Sequence, residues 1–143
     1  LEKVIKDNKH KNLKAVVNVH MAGQCHNIKS IYDIAKQYEL WVIEDAAHAI
    51  GTTYKNHLGE TYLIGENKYS DLTTFSFHAV KTITTGEGGA VTTNNKLFAA
   101  KIELLRTHGM TRNTQTEPWS YEMTELGFNY RLSDIQCALG TSQ

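Results

Sequence analysis

Proline is almost missing from this sequence: Pro118 is the only one in 143 residues. Cysteine is nearly as scarce. Cys25 and Cys137 lie far apart and form no C-x-x-C, which fits a reducing, cytoplasmic compartment rather than a disulfide-stapled secreted domain. No apolar run approaches the ~20 residues of a membrane span. The opening Leu1-Glu2-Lys3-Val4-Ile5-Lys6 leads into no apolar stretch of the kind a signal peptide needs. Neither sign of charge is in excess, with 15 Lys and Arg against 15 Asp and Glu. Nothing therefore argues for nucleic acid or an anionic membrane surface as partner. The seven histidines are scattered without H-x-x-x-H spacing, so no metal site is expected. G-x-S-x-G is missing, as are the Walker A loop and the dinucleotide fingerprint. Repeats, low-complexity tracts and Pro- or Ser-rich linkers do not occur.

Hydrophobic residues make up 41% and charged residues 21%, the balance of a globular protein. The length fits one domain of roughly 100–200 residues. The chain begins at Leu1 without a Met and stops inside what reads as a helix. It is expected to be a segment of a longer protein.

The pattern is that of an α/β unit. Residues 1–13 read as the tail of a helix. Ala15 to His20 is a β-branched run and predicts a buried strand. Asn27 is placed to cap a helix with Ile28, Ile31, Ile34 and Ala35 at helical spacing. Trp41 to Glu44 predicts a second strand, parallel to the first through a right-handed crossover. Residues 52–70 predict a hairpin or surface excursion. Leu72–Phe77 and Ala90–Thr93 read as strands, joined by a Thr- and Gly-rich loop. Asn94 or Asn95 caps a helix ending near His108-Gly109. Residues 110–125 predict a long loop, and Ser133 caps a last helix.

Three segments carry candidate chemistry. Asp45 follows a strand at its carboxyl end, where open α/β sheets bind ligands. Burying an unpaired acid there is costly, so Asp45 either meets a partner or only caps the next turn. Ala46, Ala47 and Ala49 leave room for something flat. Lys81 follows another strand end, and an enclosed lysine is a usable amine nucleophile or base. Taken alone, such a lysine is more often exposed, its stem lying along apolar surface. Ser76, five residues earlier, is within reach of an anionic group. Gly86 to Gly89 predicts a tight turn into the next strand. His20 and His78 are expected to be packed and hydrogen-bonded. Trp119, Tyr121 and Tyr130 are expected to pack within their loop.

Taken together, several stretches resemble the DegT/DnrJ/EryC1/StrS aminotransferases. They are Ile43-Glu44-Asp45-Ala46-Ala47-His48-Ala49-Ile50-Gly51, Ser76-Phe77-His78-Ala79-Val80-Lys81, Gly86-Glu87-Gly88-Gly89, Arg106-Thr107-His108-Gly109-Met110 and Gly127-Phe128-Asn129-Tyr130-Arg131-Leu132-Ser133-Asp134-Ile135-Gln136. Their common order is far more specific than any one of them. The resemblance implies the central part of the large domain of a fold-type-I transferase. The segment before it and the C-terminal small domain would lie outside this chain. It also implies pyridoxal 5'-phosphate as cofactor, and amination of a nucleotide-linked keto-sugar with an amino acid, usually glutamate, as donor. Within the family, Glu117-Pro118-Trp119-Ser120-Tyr121-Glu122-Met123 looks most like the branch making UDP-4-amino-4,6-dideoxy-N-acetyl-β-L-altrosamine, a step towards pseudaminic acid.

By the same resemblance, Lys81 forms the Schiff base with the cofactor and Asp45 faces its pyridine nitrogen. Ala47 lies on one ring face, His48 lies beside the ring hydroxyl, and Ser76 binds the phosphate. Asn129 reaches the neighbouring subunit's site, which implies a homodimer with shared active sites. The sugar dehydratases of the family carry His where Lys81 stands, so Lys81 argues for transamination. An inactive module that only dimerises is the remaining alternative, and the intact set Asp45, Ser76, Lys81 and Asn129 argues against it.

Overall fold

The structure, a computed structural model, describes residues 1–112 and 119–143. A short helix α1 (Glu2–Asp7) and a 3-10 turn lead into β1 (Ala15–Val19). Helix α2 (Ile28–Gln37) then crosses to β2 (Trp41–Asp45). A hairpin of β3 (Thr53–Lys55) and β4 (Thr61–Leu63) precedes β5 (Leu72–Ser76) and β6 (Gly89–Thr92). Helix α3 (Lys96–Arg106), strands β7 (Met110–Arg112) and β8 (Tyr121–Met123), and helix α4 (Asp134–Thr141) complete the described residues.

The central sheet has the order β1-β2-β5-β6. Its first three strands are parallel, with Val19 opposite Asp45 and Asp45 opposite Thr74. β6 runs antiparallel to β5, with Ser76 opposite Gly89. A Cβ on Gly89 would sit 2.6 Å from the Phe75 carbonyl oxygen, so only glycine lets the two backbones approach this closely.

Alternation along β2 sorts its residues between two faces. Val42 and Glu44 are buried on the face covered by α1 and α2. There Val42 joins Ile5, Ala35 and Leu40 in one apolar cluster. Trp41, Ile43 and Asp45 point to the other face, where the Trp41 ring meets Phe98 of α3 edge-on at 5.0 Å. Lys36 of α2 fastens the first face. Its Nζ donates to both Asp71 oxygens at 2.9 and 2.7 Å. Asp71 Oδ2 also accepts from the Val42 amide at 2.7 Å. The acid that leads into β5 thus fixes both α2 and the start of β2.

Several expectations are corrected. Residues 110–112 and 121–123 pair as antiparallel strands rather than forming one loop; residues 113–118, including Pro118, lie outside the described residues. Asn27 precedes α2, but it adopts a left-handed conformation and makes no side-chain cap bond. The excursion at 52–70 is a hairpin that also contributes to the interior through Ile64. His20 is buried and hydrogen-bonded as expected; His78 is hydrogen-bonded, its Nδ1 accepting from the Val80 amide at 3.3 Å, but it is exposed rather than packed. Trp119, Tyr121 and Tyr130 are exposed, and Tyr130 stacks on Phe128 at 5.1 Å.

Candidate active site

The carboxyl ends of β2 and β5 bring the candidate residues to one edge of the sheet. The turn after β2 is held from behind. The Ala46 amide donates to the Thr74 carbonyl at 2.8 Å, and the Ala49 amide to the Ala46 carbonyl at 2.9 Å. The methyl groups of Ala46 and Ala49 are buried with Ile28 and Ile64. That burial leaves Asp45 and Ala47 half-buried and turns His48 outward.

Asp45 Oδ1 accepts from the Ala47 amide at 3.1 Å. The capping role considered for this acid is therefore real. Oδ2 makes no hydrogen bond among the described residues, so half of the carboxylate stays available. His48 Nδ1 accepts from the Ala22 amide at 3.3 Å. A neutral ring so held carries its hydrogen on Nε2. The chain after β1 presses on the same turn, since a Cβ on Gly23 (φ +77) would lie 3.0 Å from the His48 carbonyl.

Ser76 closes β5, and its Oγ accepts from the His78 amide at 3.3 Å. Its own hydroxyl hydrogen is then free to donate. Lys81 stands on the turn beyond, its amide donating to the His78 carbonyl at 2.9 Å. The side chain is half-buried and pairs with no carboxylate among the described residues. The loop that carries it is tied at its base. Phe77 donates to the Gly88 carbonyl at 2.8 Å and accepts from the Thr85 amide at 3.0 Å. The chain at α4 and just beyond braces it further. Gln136 Nε2 donates to the Glu87 carbonyl at 2.9 Å. The Gln143 carboxamide pairs with both backbone groups of Thr84, at 3.1 and 2.6 Å.

Asn129 lies on the segment between β8 and α4. It bridges to Thr107 in a single antiparallel pair. It also lines an apolar groove of about 1320 Å³ between β6, α3 and the segment before α4. None of Asp45, Ala47, His48, Ser76 and Lys81 lines that groove. Among the described residues no cluster of His, Cys, Asp or Glu could hold a metal ion, and no helix is long and apolar enough to cross a membrane.

The buried acid of this edge is Glu44, which the sequence reasoning passed over. Glu44 is 3% exposed and His20 1% exposed. His20 Nε2 donates to Glu44 Oε1 at 3.1 Å, while Ser70 and Thr73 donate to Oε2 at 2.8 and 2.9 Å. Burial alone would push the Glu44 carboxyl up. The bonds from His20, Ser70 and Thr73 outweigh it and hold the group below its ordinary value. The signal was the polar pattern Asn18, His20 and Glu44 at the ends of two apolar strands.

The comparisons agree on the fold and the family. The model of the DegT/DnrJ/EryC1/StrS aminotransferase family matches residues 1–143. The UDP-4-amino-4,6-dideoxy-N-acetyl-β-L-altrosamine transaminase of Campylobacter jejuni (strain 81-176) is 44% identical over 92% of this chain and 32% of its own length. Helicobacter pylori PseC, an aminotransferase of pseudaminic acid biosynthesis, superimposes with a TM-score of 0.84 at 34% identity, covering 100% of this chain and 36% of that one. The PLP form of Spr1654 from Streptococcus pneumoniae gives 0.72 at 26% identity over 90% of this chain and 35% of its own. The chain thus spans about a third of the length of the curated relatives it matches. The α/β sheet, the ordered stretches from Ile43 to Gln136 and the match over all 143 residues make this chain a member of the DegT/DnrJ/EryC1/StrS aminotransferase family.

Proposed function

We propose that this chain forms the cofactor-holding part of the large domain of a pyridoxal phosphate-dependent sugar aminotransferase. The observation that carries the reading is one of placement. Asp45 and Ser76 end adjacent parallel strands, and Lys81 stands on the turn that follows. The residues fit the cofactor. Among the described residues, Asp45 offers a carboxylate oxygen without a hydrogen bond, Ala47 a small half-buried surface, Ser76 a hydroxyl hydrogen and Lys81 an amine without a carboxylate partner.

When bound, the cofactor supplies an electron sink for the carbanion left by proton loss from an amino acid. Asp45 Oδ2 holds a proton at the ring nitrogen, which keeps that sink effective. Lys81 Nζ anchors the cofactor covalently. As a free amine, Lys81 Nζ would take the proton from the donor's Cα as general base and deliver it to the C4′ carbon as general acid. His48 presents Nε2–H to the ring hydroxyl, and Ser76 Oγ donates to the phosphate. Asn129, on the segment before α4, completes the site of a second copy in a cytoplasmic homodimer. Substrate class comes from the relatives' printed names. They support a UDP-linked sugar of pseudaminic acid biosynthesis; the 4-keto-6-deoxy form of that sugar and glutamate as donor are what the family resemblance implies.

Borohydride reduction of the holoenzyme, followed by peptide mapping, tests the assignment. The reduced cofactor is expected on the peptide containing Lys81, and a label on another lysine overturns it.

A further inference from the structure

His20 grips two consecutive residues of β2 at once. Its amide donates to the Asp45 carbonyl at 3.0 Å. Its ring donates through Nε2 to Glu44 Oε1 at 3.1 Å. Glu44 and Asp45 point to opposite faces of the sheet, so the one residue that follows β1 restrains the strand end from its edge and from beneath. The grip is set in a polar row that crosses the sheet on the α2 face. Asn18, Glu44 and Thr73 stand side by side in register. Thr73 Oγ1 donates to Glu44 Oε2, and Asn67 Oδ1 stands within reach of the same hydroxyls, 2.6 Å from Thr73 Oγ1 and 3.0 Å from Ser70 Oγ, as the alternative acceptor of their single hydrogens. Glu44 is therefore bonded on both oxygens, and it does not reach the face where Asp45 lies.

We infer that His20 is a positioning residue for Asp45, its amide and its ring with Glu44 together fixing the peptide from which the Asp45 carboxylate projects. The inference rests on the reading of Asp45 as the acid at the cofactor ring. A carboxylate that must meet one ring atom is sensitive to small displacements. A misplacement of about 1 Å costs on the order of a hundredfold in rate. Glu44 alone could not provide this restraint, because a buried carboxylate without its donors is expelled or protonated.

The test uses the holoenzyme loaded with cofactor labelled with ¹⁵N at the ring nitrogen. His20→Phe keeps the amide and the ring volume but removes the donor to Glu44. It is expected to move the ring-nitrogen signal towards its unprotonated position. It is also expected to lower kcat about tenfold or more while KM for the amino donor stays within about twofold. His20→Gln, whose Nε2–H can reach Glu44, should keep the signal and most of the rate. A folded His20→Phe enzyme with unmoved signal and kcat overturns the inference, as does equal behaviour of the Phe and Gln variants. If His20→Phe does not fold, Glu44→Gln decides by the same signal. Asp45→Asn separates the two readings. If it too leaves the signal unmoved, the assignment of Asp45 fails. The clamp is then judged by amide exchange at Ala46 and Ala47 in the cofactor-free enzyme, which His20→Phe should accelerate; unchanged exchange overturns it.

Discussion

Two adjacent acids end β2 and meet opposite fates. Glu44 is buried, bonded on both oxygens and held ionised, whereas Asp45 keeps one oxygen free at the edge of the sheet. A carboxyl whose pKa is lowered by folding stabilises the fold above its unfolded value, 4.5 for Glu44. That stability is lost as pH falls through the lower folded value. Denaturant unfolding of the enzyme and of Glu44→Gln should therefore show a gap at neutral pH that narrows below about pH 4.5. A gap unchanged down to pH 3 would show that Glu44 carries no such linkage. Sequence reasoning reached Asp45 because strand ends are where ligands bind, and it reached Lys81 by its place after a strand. It passed over Glu44 because the partners of that acid come from the residue after β1, from β5 and from the segment before β5. Only the register of three strands brings them together.

Helix starts were the most legible elements, since a cap is a contact within a few residues. Asn95 accepts from the amides of Leu97 and Phe98 at the start of α3. Ser133 and Gln136 form a reciprocal capping box at the start of α4. Asn95→Ala should cost about 1 kcal/mol of stability, measured as a shift in the unfolding midpoint with unchanged slope. No shift would mean that the cap bond is replaced by solvent without loss. Asn27 shows the limit of the same argument. Its side chain leaves the amides of α2 uncapped, because its left-handed backbone sets the entry of the helix instead. The strands β7 and β8 were illegible for another reason. Met110-Thr111-Arg112 and Tyr121-Glu122-Met123 are exposed throughout. A strand pair with no buried side shows no alternation to read.

At the scale of the whole molecule, the parallel sheet and its crossover were readable from the spacing of apolar runs, and so was the edge that carries Asp45, Ser76 and Lys81. The place of Asn129 on the segment before α4, bridged to Thr107, was not, because it depends on where the chain runs after α3. Mixing variant chains tests the reading of shared sites. Lys81→Ala and Asn129→Ala chains, each nearly inactive alone, are mixed and allowed to exchange subunits. If Asn129 serves the partner, each hybrid dimer holds one site with both defects and one with neither. Activity should then return to about a quarter of wild type when hybrids form half of the dimers. No recovery would place Asn129 in its own subunit's site, or in none.

The polar row beneath β2 also acts as an alignment mark for the sheet. Parallel strands of apolar residues can slide past one another with little change in buried area, because neighbouring valines are interchangeable. Here a slip of β1 by one residue would turn Val17 and Val19 towards α2 and carry Asn18 and His20 to the opposite face. Glu44 would then be left beside a valine with its ring donor gone. Leaving a buried carboxylate without one of its donors costs roughly 1–3 kcal/mol or more, a large fraction of the stability of any domain. The same bond that restrains Asp45 therefore rejects the misaligned pairings in which Asp45 would face the wrong neighbour.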